Sequence, residues 1–110
     1  MNIKEERSND VVICVLEGEV NINTSLELRK TFDGIIKANA KKVLVDFSGV
    51  SYIDSSGLAT LIEMFQRLKK TGGMLRFSNM SEKIRNVFEI TKLHKLFEIF
   101  DTRQEALKGF

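Results

Sequence analysis

Proline and tryptophan are absent from the 110 residues, and cysteine, histidine and tyrosine occur once each. A single cysteine rules out an internal disulfide. One cysteine and one histidine supply no ligand cluster, so no metal site is expected. Cys14 sits inside the apolar run Val11-Val12-Ile13-Cys14-Val15-Leu16 and reads as a small buried hydrophobe, a usage suited to a reducing compartment. That run is the longest apolar stretch in the chain, far short of the roughly 20 residues a membrane span requires. The N-terminus, MNIKEERSND, is polar and unlike a signal peptide. An excess of charge is also missing. The net charge is +2, and lysines fall in pairs near element ends (Lys41-Lys42, Lys69-Lys70) rather than in one block, so no direct nucleic-acid contact is expected. No stretch rich in proline, glycine or serine marks a linker. The expectation is one soluble, cytoplasmic domain covering residues 1–110, with no cofactor and no membrane contact.

What is present alternates short strand-like runs with helix-like segments, the pattern of an α/β domain. The run 11–16 is continuously apolar and rich in β-branched residues, as in a strand buried on both faces. Gly18-Glu19 reads as the turn that ends it. Thr24 and Glu27 stand at capping-box spacing before Leu28, Phe32, Ile35 and Ile36, one face of a first helix. Residues 42–48 alternate Val43, Val45 and Phe47 on one side, a second strand. Leu58, Leu61, Ile62, Phe65 and Leu68 form the face of a strong second helix, with Lys69 and Lys70 in its last turn and Gly72-Gly73 as its stop. Met74–Phe77 reads as a strand, Ser81 as the cap of a helix carrying Ile84, Val87 and Phe88, and Leu96–Phe100 as a last short strand. Thr102 and Glu105 repeat the capping-box spacing before a C-terminal helix with Ala106, Leu107 and Phe110. Asn2–Glu6 is a candidate edge strand.

One junction stands out. The strand 42–48 runs into Gly49-Val50-Ser51-Tyr52-Ile53, and Asp54-Ser55-Ser56-Gly57 then opens the strongest helix. The ordinary reading is a helix cap, because Asp and Ser oxygens accept the unpaired N–H groups of a first turn. The functional reading uses the same physics. A serine hydroxyl at the positive end of a helix dipole lies beside N–H groups able to hold a phosphate. Gly57, lacking a side chain, is expected to leave the approach to the Ser55 hydroxyl open. Phosphorylation adds about −1.5 to −2 charges beside Asp54, which the helix end tolerates and a docked apolar or acidic surface does not.

The segment Tyr52-Ile53-Asp54-Ser55-Ser56-Gly57-Leu58 resembles the signature of the bacterial anti-sigma factor antagonists of the STAS-domain family. The LEGEV segment (Leu16 to Val20), VDFSGV, LKKTGG, SEKIRNVFEITKL and LFEIFDT follow in that family's order and spacing, so the resemblance covers nearly the whole chain. It implies a single STAS domain: a mixed β-sheet, here of four to five strands, with four helices packed mainly on one face. It implies a non-enzymatic switch protein. The unphosphorylated form would bind a serine-kinase anti-sigma factor of the GHKL (histidine-kinase-like) ATPase type and release a sigma factor. The kinase would phosphorylate Ser55, and a PP2C-type phosphatase would reverse it. Asp54, Ser56, Gly57 and Leu58 match motif positions around the acceptor and are assigned to the partner surface, together with Asn21. Many relatives have Asp at the position of Asn21; the amide keeps shape and hydrogen bonding and removes the charge, which is expected to retune kinase recognition.

Other readings are weaker. Gly49-Val50-Ser51 begins like a nucleophile elbow, but Ile53 occupies the place of its second glycine. His94, in a charged context, reads as a surface side chain. A phosphoaspartate receiver domain with Asp46 ending a strand fits in size, yet the paired acidic residues and the lysine loop of such a site are missing. Within the same fold, a stressosome-like scaffold or a transport accessory module remains the alternative.

Overall fold

A computed structural model describes all residues from Met1 to Phe110. Five strands form one mixed sheet in the order β1-β2-β3-β4-β5: β1 (Asn2–Ser8), β2 (Val11–Val20), β3 (Lys42–Ile53), β4 (Met74–Ser78) and β5 (Glu98–Phe100). β1 pairs antiparallel with β2, and the other neighbours are parallel. Four helices complete the chain: α1 (Ser25–Lys37), α2 (Ser55–Lys70), α3 (Glu82–Ile90) and the short α4 (Arg103–Leu107).

The two-sided burial expected of residues 11–16 is realised by two layers. Val12, Cys14 and Leu16 join Val43, Val45, Phe47, Leu75 and Phe77 under α1, α2 and α3. Val11, Ile13 and Leu44 point to the other face, which α4 covers with Ala106. Three helices thus lie on one side and one on the other. Burial pushes the Cys14 thiol up to about 12, aided by the charge of Glu5, so it stays protonated and inert. Phe47, Phe77, Phe88 and Phe97 meet at 4.6–6.0 Å between ring centroids, mostly edge to face.

On the α4 side, Asp46 accepts from Arg103 Nη2 at 2.8 Å and Nε at 3.3 Å, while Arg103 Nη1 reaches Glu6 at 2.9 Å. Arg76, buried in β4, lies between the rings of Phe100 and Phe110 and donates to the carbonyls of Ala106 and Lys108. One buried guanidinium therefore caps the last turn of α4 and holds it on the sheet.

Several sequence expectations need correction. Gly18-Glu19 does not end β2, which continues to Val20, and β3 does not end at Ser48 but reaches Ile53. The β2–β3 register shifts twice, with Leu16 facing extra length near Phe47-Ser48 and a second step past Val50. Each shift adds a residue to β3, so its inward side chains advance from Val45 and Phe47 to Val50 and Ile53, a spacing that strict alternation cannot reveal. The Thr24/Glu27 capping box does not form, and Thr24 makes no side-chain cap to α1. In α2 the innermost residues are Leu58, Leu61, Met64 and Leu68, with Ile62 and Phe65 half-buried at the margins. Gly72, at φ +81°, takes the left-handed turn that ends α2, and the Gly73 N–H closes on the Leu68 carbonyl at 2.7 Å. Ser81 and Thr102 cap α3 and α4 as expected, accepting from the N–H groups of Ile84 and Glu105.

Candidate functional site

The C-terminal ends of β2 and β3 lie side by side, with Val20 opposite Ile53, and the chain leaves both toward the same edge. From β3 it enters α2 directly. Asp54 keeps extended backbone and its Oδ1 accepts from the Gly57 N–H at 3.0 Å, which caps the helix. Its Oδ2 accepts from the Ile22 N–H at 3.2 Å, and its own N–H donates to the Val20 carbonyl at 3.1 Å. Asp54 is therefore more than a cap. It ties the start of α2 to the β2–α1 turn.

That turn is braced from within. Asn21 Oδ1 accepts from the N–H groups of Asn23 (2.9 Å) and Thr24 (3.2 Å). Thr24 Oγ1 accepts from the Asn21 N–H at 2.9 Å and donates to the Glu19 carbonyl at 2.8 Å. The Asn21 carbonyl receives the Ser25 N–H and hydroxyl at 2.8 and 2.6 Å. Thr24 fails as a capping-box partner because its hydroxyl is spent on this turn. Every bond made by the Asn21 side chain uses its oxygen, which an aspartate would also supply, so the amide preserves the turn and changes only the charge.

Ser55, first residue of α2, is exposed, and Ser56 and Asp54 are half-buried. At a helix start the amides of Ser55 and Ser56 have no upstream helical carbonyl, and the positive end of the dipole lies there. Gly57 and Leu58 are buried. Gly57 does not open an approach to Ser55 from outside. A Cβ at this position would lie 2.7 Å from both Val20 Cγ1 and Val20 O and 2.9 Å from Ile53 Cγ1. Its bareness lets the first turn of α2 sit against the sheet, which sets the height at which Ser55 is presented. Gly57 and Leu58 thus shape the site from beneath rather than line a surface. Sequence reasoning missed Ile22, whose N–H completes the Asp54 bridge. The available signal was a large apolar residue in a polar turn.

Both recesses in the molecular surface lie at the other end of α2, one of about 300 Å³ among Phe65, Lys69, Met74 and Leu96, the other beside Gln66 and Lys70. Asp46, the candidate acceptor of a receiver-type site, lies mid-strand and buried on the α4 side, held by Arg103. His94 is exposed, with Nδ1 3.3 Å from the Phe88 carbonyl. No helix is long and apolar enough to cross a membrane.

Comparison with known proteins agrees with this geometry. The family model for the STAS domain matches residues 2–106. A Thermotoga neapolitana protein named as an anti-sigma factor antagonist is 32% identical over 100 residues, covering 90% of this chain and 88% of its own. The anti-sigma-B factor antagonist of Bacillus subtilis is 30% identical over 102 residues, covering 90% and 92%. The crystal structure of an anti-sigma factor antagonist from Thermotoga maritima superposes with a TM-score of 0.91 at 27% identity, over 96% of this chain and 92% of that one. The receiver-domain alternative is thereby overturned, and Asp46 is a structural ion-pair residue. The family-model match over residues 2–106, with relatives 30–32% identical along nine-tenths of the chain, places it in the STAS-domain family, among the anti-sigma factor antagonists.

Proposed function

We propose that this chain antagonises an anti-sigma factor by partner switching, with Ser55 as the phosphoacceptor. Unmodified, it occupies a GHKL-type serine-kinase anti-sigma factor in the cytoplasm, and the sigma factor goes free. The kinase phosphorylates Ser55 and the complex separates; a PP2C-type phosphatase restores the binding form. The chain contributes a surface and a hydroxyl, and no catalysis of its own.

The observation that carries this reading is the exposed Ser55 at the first position of α2, on a helix start that Asp54 holds to the neighbouring turn. A phosphate there adds about −1.5 to −2 charges close to two unpaired amides, so the fold accommodates it. A partner seated over the same spot would have to strip water from a dianion, which is strongly unfavourable. The fold persists and the interface is lost. Asp54 and Ser56 flank the acceptor, the Asn21 turn forms the adjoining edge of the contact, and Gly57 and Leu58 set its shape.

The test compares Ser55→Ala and Ser55→Asp as bait in the native cell, with bound proteins identified by mass spectrometry. Ser55→Ala retains an anti-sigma kinase and accepts no phosphate from it with ATP. Ser55→Asp binds that kinase about tenfold or more weakly, a difference of about 1.4 kcal/mol. Equal binding by the two variants sinks the switch. Capture by Ser55→Ala of scaffold components in place of an anti-sigma factor assigns the stressosome-like alternative.

A further inference from the structure

Two of the large apolar side chains left in solvent belong to the β2–α1 turn and the first turn of α1, the segment that Asp54 ties to the start of α2. Ile22 is 72% exposed and Leu26 is 58% exposed. Neither serves the core: the inward face of α1 is made by Leu28, Phe32 and Ile35. Ile22 belongs to the turn whose N–H is held by Asp54 Oδ2, one residue from the phosphoacceptor, and Leu26 follows in the first turn of α1. The turn is cross-braced by Asn21 and Thr24, so Ile22 is presented on a rigid support and little ordering remains to be done on docking.

Resting on the partner-switching reading, we infer that Ile22 and Leu26 are the apolar anchor of the interface, entering an apolar recess on the anti-sigma factor next to the point where Ser55 is covered. The choice of occupant follows from continuity: the turn carrying Ile22 is hydrogen-bonded to Asp54, the chain neighbour of Ser55, and the chain belongs to a family named for antagonising anti-sigma factors. An apolar anchor at this place makes a phosphate on Ser55 more disruptive. A phosphate placed against an apolar contact loses its water without gaining a partner, whereas at a wet, polar rim it would stay hydrated.

Ile90 provides an internal control. It is 80% exposed at the far end of α3, whose first turn is the one near the site, with Lys83 Nζ donating to the Ser51 carbonyl. The experiment titrates the full chain against the anti-sigma factor retained by Ser55→Ala, purified after its identification. Ile22→Ser and Leu26→Ser each weaken binding about tenfold or more, as anchor truncations do. Ile90→Ser leaves it within about twofold, as surface residues outside an interface do. Thermal unfolding of all three variants stays close to that of the parent, and Leu26→Lys, a good helix former at an exposed site, repeats the loss by a different chemistry. Parent-like binding by Ile22→Ser and Leu26→Ser, while Ser55→Asp still binds weakly, overturns the anchor and leaves the switch standing. Equal binding by Ser55→Ala and Ser55→Asp, or no anti-sigma factor retained by Ser55→Ala, overturns the switch itself. A loss with Ile90→Ser equal to that of Ile22→Ser overturns the anchor as well, since any exposed apolar residue would then serve.

Discussion

Replacing Gly57 by alanine tests how Ser55 is positioned. In an open helical site the change is favourable, because alanine exceeds glycine in helix propensity by about 1 kcal/mol. Here the added Cβ falls 2.7 Å from the Val20 carbonyl oxygen, 2.7 Å from Val20 Cγ1 and 2.9 Å from Ile53 Cγ1. One of these atoms is backbone in the sheet and the other two belong to short, buried side chains, so relief requires the first turn of α2 to lift. Overpacking of this kind costs about 1–3 kcal/mol, and a clash with backbone belongs at the upper end. After the propensity gain the net loss is about 2 kcal/mol. With an unfolding entropy of about 2.1 cal/mol/K per residue, this lowers the Tm by about 9 °C. Gly34, an exposed position of α1 where a Cβ meets nothing within 4 Å, supplies the opposite case. Gly34→Ala is expected to raise the Tm by about 4 °C from the propensity gain alone. Both are read by differential scanning calorimetry, and lifting of the helix is read by amide chemical shifts at Ser55 and Ser56. A Gly57→Ala protein as stable as Gly34→Ala would refute the claim that close approach to Val20 requires glycine.

Asp54→Ala removes the cap and the bridge together; it is expected to lose about 1–2 kcal/mol in chemical denaturation and to speed hydrogen exchange at both Gly57 and Ile22. Unchanged exchange at Ile22 would show that the bridge is not made. Asn21→Asp keeps the acceptor oxygen that organises the turn, so the Tm should change by less than about 2 °C, while affinity for the anti-sigma factor shifts measurably; an unaltered affinity removes Asn21 from partner selection. Burial opposes ionisation of Asp46, but hydrogen bonds from Ser48 and Arg103 outweigh it and hold its pKa below the usual carboxylate range. A depressed folded-state pKa contributes stability above the unfolded value near pH 3.8, which is lost as pH falls through the folded value. Arg103→Met therefore should shift acid unfolding to higher pH and cost about 2 kcal/mol at neutral pH, measured by urea titration across pH 2–7. A parallel acid transition for parent and variant would show that the pair carries no linked stability.

Local patterns in the sequence were sufficient for most elements because each rests on short-range physics. The unbroken apolar run at 11–16 announces a strand covered on both faces, and the structure supplies α1 to α3 on one side and α4 on the other. The apolar face beginning at Leu58, the glycine stop after Lys70 and the caps at Ser81 and Thr102 follow from helical periodicity and the needs of unpaired amides. The helix start itself was legible for the same reason, since Asp54 caps α2 and Ser55 is its first residue, and that chemistry is local.

Long-range contacts settled the rest. The length of β3 depends on two register shifts against β2, and these reset the inward phase that alternation alone suggested. Thr24 looked like a cap, but its hydroxyl is taken by Asn21 and Glu19. Gly57 looked like an open approach to Ser55, and only the packing of α2 on Val20 and Ile53 shows it to be a buried point of contact. Sequence by itself determined which residue offers a hydroxyl at a helix start, because capping involves neighbours a few residues apart. Tertiary structure alone decided which turn is held against that helix start, because the Asp54–Ile22 bridge joins positions 32 residues apart and exists only once β2 and β3 are paired.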